Sequence, residues 1–293
     1  MELATWRHRP RAAVLADLAR RGFRFQSRLG QNFLFDPQLL EAFLDDASVA
    51  AGERVLEVGA GAGTLTERLL ARGAEVVSAE IDAILLDHLR ERGPHPALTL
   101  VAGDALGPAE TLAPALSAAL DAGDRPFRLV ANLPYAIATP LVMRLVARAS
   151  RLAGIAVLVQ AEVAERWVAT PGGKEYGAAS VLLAIAGRGR IARRVSGRLF
   201  TPAPRVESAF YVWEPAPVAG IDLPSLLGFA RGLFQHRRKM LRAILRERVA
   251  ETDPAWARAG ADPRARPEEL SPETLLALWR ELGEGAGDST PLR

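Results

Sequence analysis

The 293-residue chain contains no cysteine, so disulfides and thiolate metal sites are excluded; this fits a reducing compartment. Histidine is scarce as well. His8, His88, His95 and His236 are scattered along the chain, so no histidine metal cluster and no metal site is expected. No apolar run is long enough to span a bilayer, and no membrane association is expected. The chain is 49% hydrophobic and 24% charged, enough apolar residue for a full core in one large domain or two.

Lysine is nearly missing too, two residues against 35 arginines, and acids are missing from particular stretches. Residues 1–30 hold seven Arg against Glu2 and Asp17, a net +5. Residues 188–205 hold six Arg and no acid, and residues 231–248 hold six Arg and Lys239 against Glu247, +6 each. The whole chain is only +3, so everything outside these segments carries −14. Genome composition explains arginine in place of lysine, and ordinary solvated faces explain scattered charge. Neither explains the clustering, which is the footprint of a polyanion-binding face. The Arg-rich start, residues 1–28, faintly resembles an organellar presequence but has no secretory apolar region. It is read as part of the mature protein.

From Arg54 onward β-rich runs alternate with amphipathic ones. The runs at 54–58, 75–79, 98–102, 127–131 and 155–160 read as strands, and those at 64–72, 83–92, 109–120 and 139–148 as helices. That alternation predicts an α/β fold, a parallel sheet with helices on both faces. Two further runs, 180–186 and 207–214, read as an antiparallel pair at the sheet edge, separated by the basic segment. At Pro215-Ala216-Pro217 the pattern becomes helical, over 223–249 and 271–282, so residues 1–216 are expected as one domain and 217–293 as a small helical one. The tail from 283 to 293 reads as disordered.

Val55-Leu56-Glu57-Val58-Gly59-Ala60-Gly61-Ala62-Gly63-Thr64 is a strand entering a glycine-rich turn that opens a helix, where a ligand can approach the backbone and free N–H groups. The dinucleotide fingerprint needs a glycine where this chain has Thr64. With an acid two residues ahead of it, the turn instead resembles the S-adenosylmethionine turn of Rossmann-like methyltransferases. Glu80, about twenty residues on, can take both ribose hydroxyls of a nucleoside. Asp104, after the third strand, can accept from an adenine amino group or equally serve as a helix N-cap. All three stand at the C-terminal ends of successive strands and so share one crevice. Asn132-Leu133-Pro134-Tyr135 follows a further strand. An amide oxygen and an aromatic ring there suit a planar amine, and Pro134 biases Leu133 to an extended backbone with available carbonyls. Taken alone, the tetrapeptide is equally a strand-to-helix turn in which proline stops the sheet.

Together these motifs resemble the ribosomal RNA adenine N6,N6-dimethyltransferase family, the small-subunit dimethyladenosine transferases. Leu29-Gly30-Gln31-Asn32-Phe33-Leu34 resembles the family's N-terminal cofactor lid, and the glycine turn, Glu80 and Asp104 follow in family order. Asn132-Leu133-Pro134-Tyr135 resembles its catalytic motif. Phe200-Thr201-Pro202-Ala203-Pro204-Arg205-Val206-Glu207-Ser208-Ala209 resembles its late F-x-P-x-P-x-V-x-S-A element, and Phe234-Gln235-His236-Arg237-Arg238-Lys239 its F-x-x-R-R-K helix. The resemblance spans about residues 10–282. It implies a Rossmann-like S-adenosylmethionine-dependent methyltransferase sheet with a small C-terminal helical domain. It implies S-adenosylmethionine contacts at Gln31, Asn32, Leu34, Gly59, Gly61, Glu80, Asp104 and Asn132. Catalysis falls to Asn132, Leu133, Pro134 and Tyr135, and RNA binding to Arg194, Arg205, Arg237, Arg238 and Lys239. Phe234, Leu241 and Leu245 are expected to anchor the last helix with its charges outward. The chain departs from the family at Ala60, where proline is usual, and at Ala161, where lysine is usual. Arg166 or the 188–205 cluster is the candidate source of the missing charge.

The implied reaction is methyl transfer to adenine N6 in small-subunit (16S) rRNA, twice on one base. Asn132 and the Leu133 or Pro134 carbonyl would hold N6–H, and Tyr135 would stack on the ring. No strong base is needed, which agrees with the absence of histidine from the glycine turn and from Asn132-Leu133-Pro134-Tyr135. The expected partner is rRNA of the immature small ribosomal subunit, met by a monomeric cytoplasmic protein. Three other readings compete. One is a large-subunit rRNA methyltransferase of the macrolide-resistance type, disfavoured by the two late motifs. Another is a DNA adenine methyltransferase, which would carry a target-recognition insertion. The third is a ribosome-assembly factor without catalysis.

Overall fold

The alternation read from residue 54 onward is realised as one large sheet. The computed structural model describes residues 6–108, 111–122, 125–148, 150–216 and 219–283. The chain begins with α1 (Arg11–Arg20), β1 (Phe33–Leu34) and α2 (Pro37–Asp46), then β2 (Arg54–Val58), α3 (Thr64–Ala71), β3 (Glu75–Glu80) and α4 (Ala83–Arg90). It continues through β4 (Leu98–Ala102), α5 (Pro114–Asp121), β5 (Phe127–Asn132), α6 (Ala138–Arg148), β6 (Leu152–Gln160), α7 (Ala161–Trp167) and α8 (Ala178–Ala186). β7 (Gly187–Val195), β8 (Phe200–Thr201) and β9 (Ser208–Pro215) precede four helices, α9 (Leu223–Gln235), α10 (Leu241–Ile244), α11 (Ala255–Ala259) and α12 (Pro272–Gly283).

The seven-stranded sheet has the order β4-β3-β2-β5-β6-β9-β7. β2 to β6 are mutually parallel, and β9 runs antiparallel to β6 from Ile155↔Trp213 to Gln160↔Ser208. Every residue of β2 is buried, as expected for a strand covered on both faces. From β2 the chain builds outward to β3 and β4, then returns to add β5 on the other side. The switch point lies between β2 and β5, and their C-terminal ends open a crevice there. Under the sheet Phe43 of α2 stacks on Phe210 of β9 at 4.5 Å, beside Leu69, Val130 and Ala156. A second, two-stranded ladder pairs β1 with β8, Phe33↔Thr201 and Leu34↔Phe200, and so ties the N-terminal segment to the late proline-rich element.

Three local expectations change. Residues 180–186 are helix, within α8, not strand. A nine-residue apolar run is ambiguous by periodicity, and four alanines tip this one toward helix. The edge strand is instead β7, inside the basic segment, where Arg188, Arg190, Arg193 and Arg194 are exposed; charge of this kind blunts an open sheet edge. The helix expected over 223–249 breaks at 236–240. There Leu241 and Arg242 N–H turn to the Ala265 and Pro263 carbonyls, not to the preceding helical turn.

The chain divides into two compact units. The first runs to Arg144 and includes Ser150–Ala164 and Arg190–Glu214; the second takes Leu145–Ala149, Glu165–Gly189 and the chain from Pro215. The expectation put the boundary at 216/217, but α8 belongs with the helical unit because Val181 is buried there among Leu226, Leu233, Leu275 and Leu278. Leu241 and Leu245 are fully buried in the same core and Phe234 packs against it. Gly283 closes α12, and the tail expected to be disordered lies, from 284 on, outside the described residues. Among the described residues no helix is long and apolar enough to cross a membrane.

Candidate active site

A cleft in the first unit opens at the C-terminal ends of β2, β3 and β5. Gln31, Asn32, Gly59, Gly61, Glu80, Asp104, Asn132 and Pro134 all line it. The glycine turn is shaped by close packing. Gly59 and Gly61 have φ of +81° and +56°, and a Cβ on Gly61 would stand 3.1 Å from the Phe33 ring, one on Gly59 3.3 Å from Pro134. The Gly59 and Ala60 N–H groups share the Ala79 carbonyl, at 2.8 and 3.4 Å. The second bond is one that the family's usual proline could not make.

Glu80 ends β3 with its carboxylate buried. Oε2 accepts the Gly61 N–H and Oε1 the Asp82 N–H, both at 2.8 Å. Burial, followed by the nearby Asp82, holds its pKa above the usual carboxylate range. Asp104 is exposed on the cleft wall and uses Oδ1 to hold Leu106 N–H at 2.9 Å, a local turn that leaves further acceptor capacity. A buried carboxylate fixed by two backbone donors, beside a glycine turn whose positive φ and close packing on Phe33 and Pro134 favour bare backbone, fits the ribose and chain of a nucleoside sulfonium. The residues present therefore suit S-adenosylmethionine.

Asn132, at the end of β5, donates Nδ2–H to the Asn32 carbonyl at 2.9 Å, which leaves Oδ1 as the acceptor of that amide. Leu133 is buried and its N–H bonds the Leu158 carbonyl; the Pro134 carbonyl accepts Ile137 N–H at 3.1 Å. Tyr135 shares a hydrogen bond between its hydroxyl and Ser208 Oγ at 3.0 Å, and burial raises its pKa. Leu34 does not line the cleft: its side chain is in the core and its carbonyl accepts Thr64 Oγ1–H. Gln31 donates to Asp82 Oδ2 at 2.9 Å and accepts Gln26 N–H, while Gln26 Nε2 reaches the same Asp82 oxygen at 3.0 Å. Sequence reasoning missed Asp82 as the acceptor that holds the N-terminal segment through Gln26 and Gln31. The signal was there, an acid two residues after Glu80 and at the N-cap of α4. Ser208 was likewise quoted only as part of a motif.

The basic residues divide between the units. Arg194 and Arg205 are exposed in the first, with Glu207 4.0 Å from Arg194. In the second, Arg238 and Lys239 are exposed, whereas Arg237 is ion-paired with Glu268 at 2.6 Å and donates to the Lys174 carbonyl. Arg166 pairs with Glu175 at 3.3 Å, and Ala161 is buried with its N–H on the Glu207 carbonyl.

Glu57 lies fully buried beneath the turn, accepting the Thr66 and Ser78 hydroxyls at 2.6 Å each. Burial pushes its carboxyl up to about 7 from the ordinary 4.5. A carboxyl raised in the folded state contributes stability that is present below about pH 4.5 and is lost as pH rises through about 7, on the order of 3 kcal/mol. Glu57→Gln is therefore expected to hold its Tm between pH 5 and pH 8 better than the parent does. Parallel Tm profiles for the two proteins would refute that assignment.

The sheet order, the switch-point crevice and the glycine turn with its buried acid define a Rossmann-like methyltransferase. Residues 22–282 match the family described as ribosomal RNA adenine dimethylase, and the chain belongs to that family. The ribosomal RNA small subunit methyltransferase A of Synechococcus sp. (strain CC9605) is 38% identical, covering 90% of this chain and 98% of its own. That of Rubrobacter xylanophilus is 40% identical over 88% and 95%. Among solved structures, a dimethyladenosine transferase from Plasmodium falciparum superposes with a TM-score of 0.69 at 22% identity, covering 85% of this chain and 96% of that one. The 23S rRNA methyltransferase ErmE gives 0.62 at 26%, covering 86% and 100%.

Proposed function

We propose that this chain transfers methyl groups from S-adenosylmethionine to N6 of adenines in small-subunit (16S) rRNA, giving N6,N6-dimethyladenosine during ribosome biogenesis. The observation that carries this reading is Asn132, whose amide nitrogen is committed to the Asn32 carbonyl and whose oxygen is thereby an acceptor in the cleft that also contains Glu80. Relatives named for the small subunit at 38–40% identity, against 26% for the large-subunit enzyme, favour the small-subunit substrate.

S-adenosylmethionine, when bound, supplies an electrophilic methyl group. Glu80 and the Gly59–Gly61 backbone hold its nucleoside and chain, with Asp104 as an acceptor for the adenine amino group. Gln31 and Asn32 would hold it from the N-terminal segment, which Leu34 ties down through β1. Asn132 Oδ1 accepts one N6–H of the target base. The Pro134 carbonyl already accepts one bond, from Ile137 N–H, and the second acceptor is taken to be the Leu133 carbonyl. Two acceptors on one amine favour a pyramidal nitrogen with its lone pair freed from the ring, which is positioning plus electrostatic preorganisation. Tyr135, steadied by Ser208, stacks on the base. Methylated N6 is acidic and loses its proton to water. Arg194, Arg205, Arg238 and Lys239 meet RNA phosphates, and Arg237 chiefly steadies the loop that presents its neighbours.

Primer extension tests the substrate. Unmethylated small subunits incubated with the protein and S-adenosylmethionine should acquire strong reverse-transcriptase stops at adenines of the small-subunit rRNA. Large-subunit rRNA should acquire none; stops there alone would transfer the assignment to the macrolide-resistance type.

A further inference from the structure

Among the large hydrophobic residues left exposed within the described chain, one phenylalanine stands out. Phe25 is 38% exposed, yet its ring is fixed by two neighbours, Phe23 edge-on at 5.2 Å and Phe33 tilted at 5.2 Å. Phe33 in turn lines the cleft and packs under Gly61, so Phe25 sits one side chain from the cofactor site. The backbone after it is pinned through the Gln26 bonds to Gln31 and Asp82. Arg24 and Arg28 stand one residue before and three after Phe25 and are exposed; Arg28 lines the cleft, and its guanidinium donates to the neutral Gln26 oxygen, which leaves its positive charge uncancelled by that bond. A rigidly held aromatic ring on a segment that also carries exposed arginines is how single-stranded RNA is gripped, the ring taking a base and the arginines its phosphates.

From this geometry we infer that Phe25 is a stacking platform for a nucleotide neighbouring the target adenine, with Arg24 and Arg28 on the adjoining phosphates. The inference rests on the RNA reading above and adds a specific base contact on the N-terminal segment. Holding a second, unstacked base there keeps the loop open while the target base occupies the Asn132 pocket. Stacking also tolerates any base, so this contact contributes affinity and register without sequence choice.

The test compares Phe25→Leu and Phe25→Trp with the parent for binding to unmethylated small ribosomal subunits and, separately, to S-adenosylmethionine. Leucine keeps the apolar contact with Phe23 and Phe33 but has no ring face. The Leu variant is expected to bind subunits about ten- to a hundredfold more weakly, and the Trp variant to restore binding, both with parental affinity for S-adenosylmethionine. Unchanged subunit binding by the Leu variant overturns the inference. So does a loss confined to S-adenosylmethionine affinity, which would make the ring part of the cofactor site. A parent protein that neither binds nor methylates the subunits would instead overturn the RNA reading on which the inference stands.

Discussion

Asn132→Ala is expected to lower single-turnover methyl transfer by about 10²–10³-fold, the loss typical of one preorganised hydrogen bond at a reacting centre. Two bonds disappear with the amide. The Oδ1 acceptor for N6–H goes, so the amine lone pair stays conjugated with the ring. The Nδ2 bond to the Asn32 carbonyl goes as well, and with it the tie between β5 and the N-terminal segment. Asn132→Asp separates the two effects. It keeps an acceptor for N6–H but sets a second oxygen against the Asn32 carbonyl, so it should loosen the segment while retaining more turnover at saturating cofactor than alanine does. Small-subunit binding by the alanine variant should stay within a few fold of the parent, because the exposed arginines are untouched. Labelled methyl incorporation reads the effect, and near-parental turnover by Asn132→Ala would remove the residue from the mechanism.

The parts of this site that the sequence revealed are those where residue type is forced by local chemistry. A glycine at a positive φ, an acid facing backbone donors at a strand end and an amide before a proline each have few substitutes. Gly59, Gly61, Glu80 and Asn132 could therefore be read directly, and they line one cleft. Two strands were equally plain, with the expected bounds: β2, buried throughout between its neighbours, and β4, an apolar and β-branched run even at the sheet edge. What stayed hidden depends on partners distant in sequence. Nothing near Arg237 announces Glu268, so the ion pair that holds this arginine could not be read from the sequence. Nothing near Gln31 announces Asp82, 51 residues on. The apolar run of α8 could have been strand or helix until the helical unit offered it a core. The basic edge strand β7 was masked by arginines whose aliphatic stems satisfy either a loop or a strand.

Glu80→Gln is the companion substitution, and it is expected to cut S-adenosylmethionine affinity by about 10²–10³-fold. The change is nearly isosteric, so its force is electrostatic. Both Glu80 oxygens act as acceptors from backbone N–H groups at 2.8 Å, from Gly61 on one side and Asp82 on the other. A glutamine has only one oxygen. Whichever way the amide turns, an NH2 faces an N–H, at a cost of about 1–3 kcal/mol for the buried donor left unmatched. If the mismatch falls on Gly61, the glycine turn shifts away from Phe33 and Pro134, the two contacts that set its shape. If it falls on Asp82, the N-cap of α4 moves and with it the bonds from Gln26 and Gln31 that hold the N-terminal segment. Either outcome also replaces a charged acceptor for ribose hydroxyls by a neutral one. The loss should appear in the Kd and KM for S-adenosylmethionine, with the KM for small subunits unchanged and kcat at saturating cofactor recovering to within about tenfold of the parent. An equal fall in kcat that cofactor cannot restore would show that Glu80 acts on the reacting atoms. Unaltered cofactor affinity would mean that the nucleoside does not bind at the end of β3 at all.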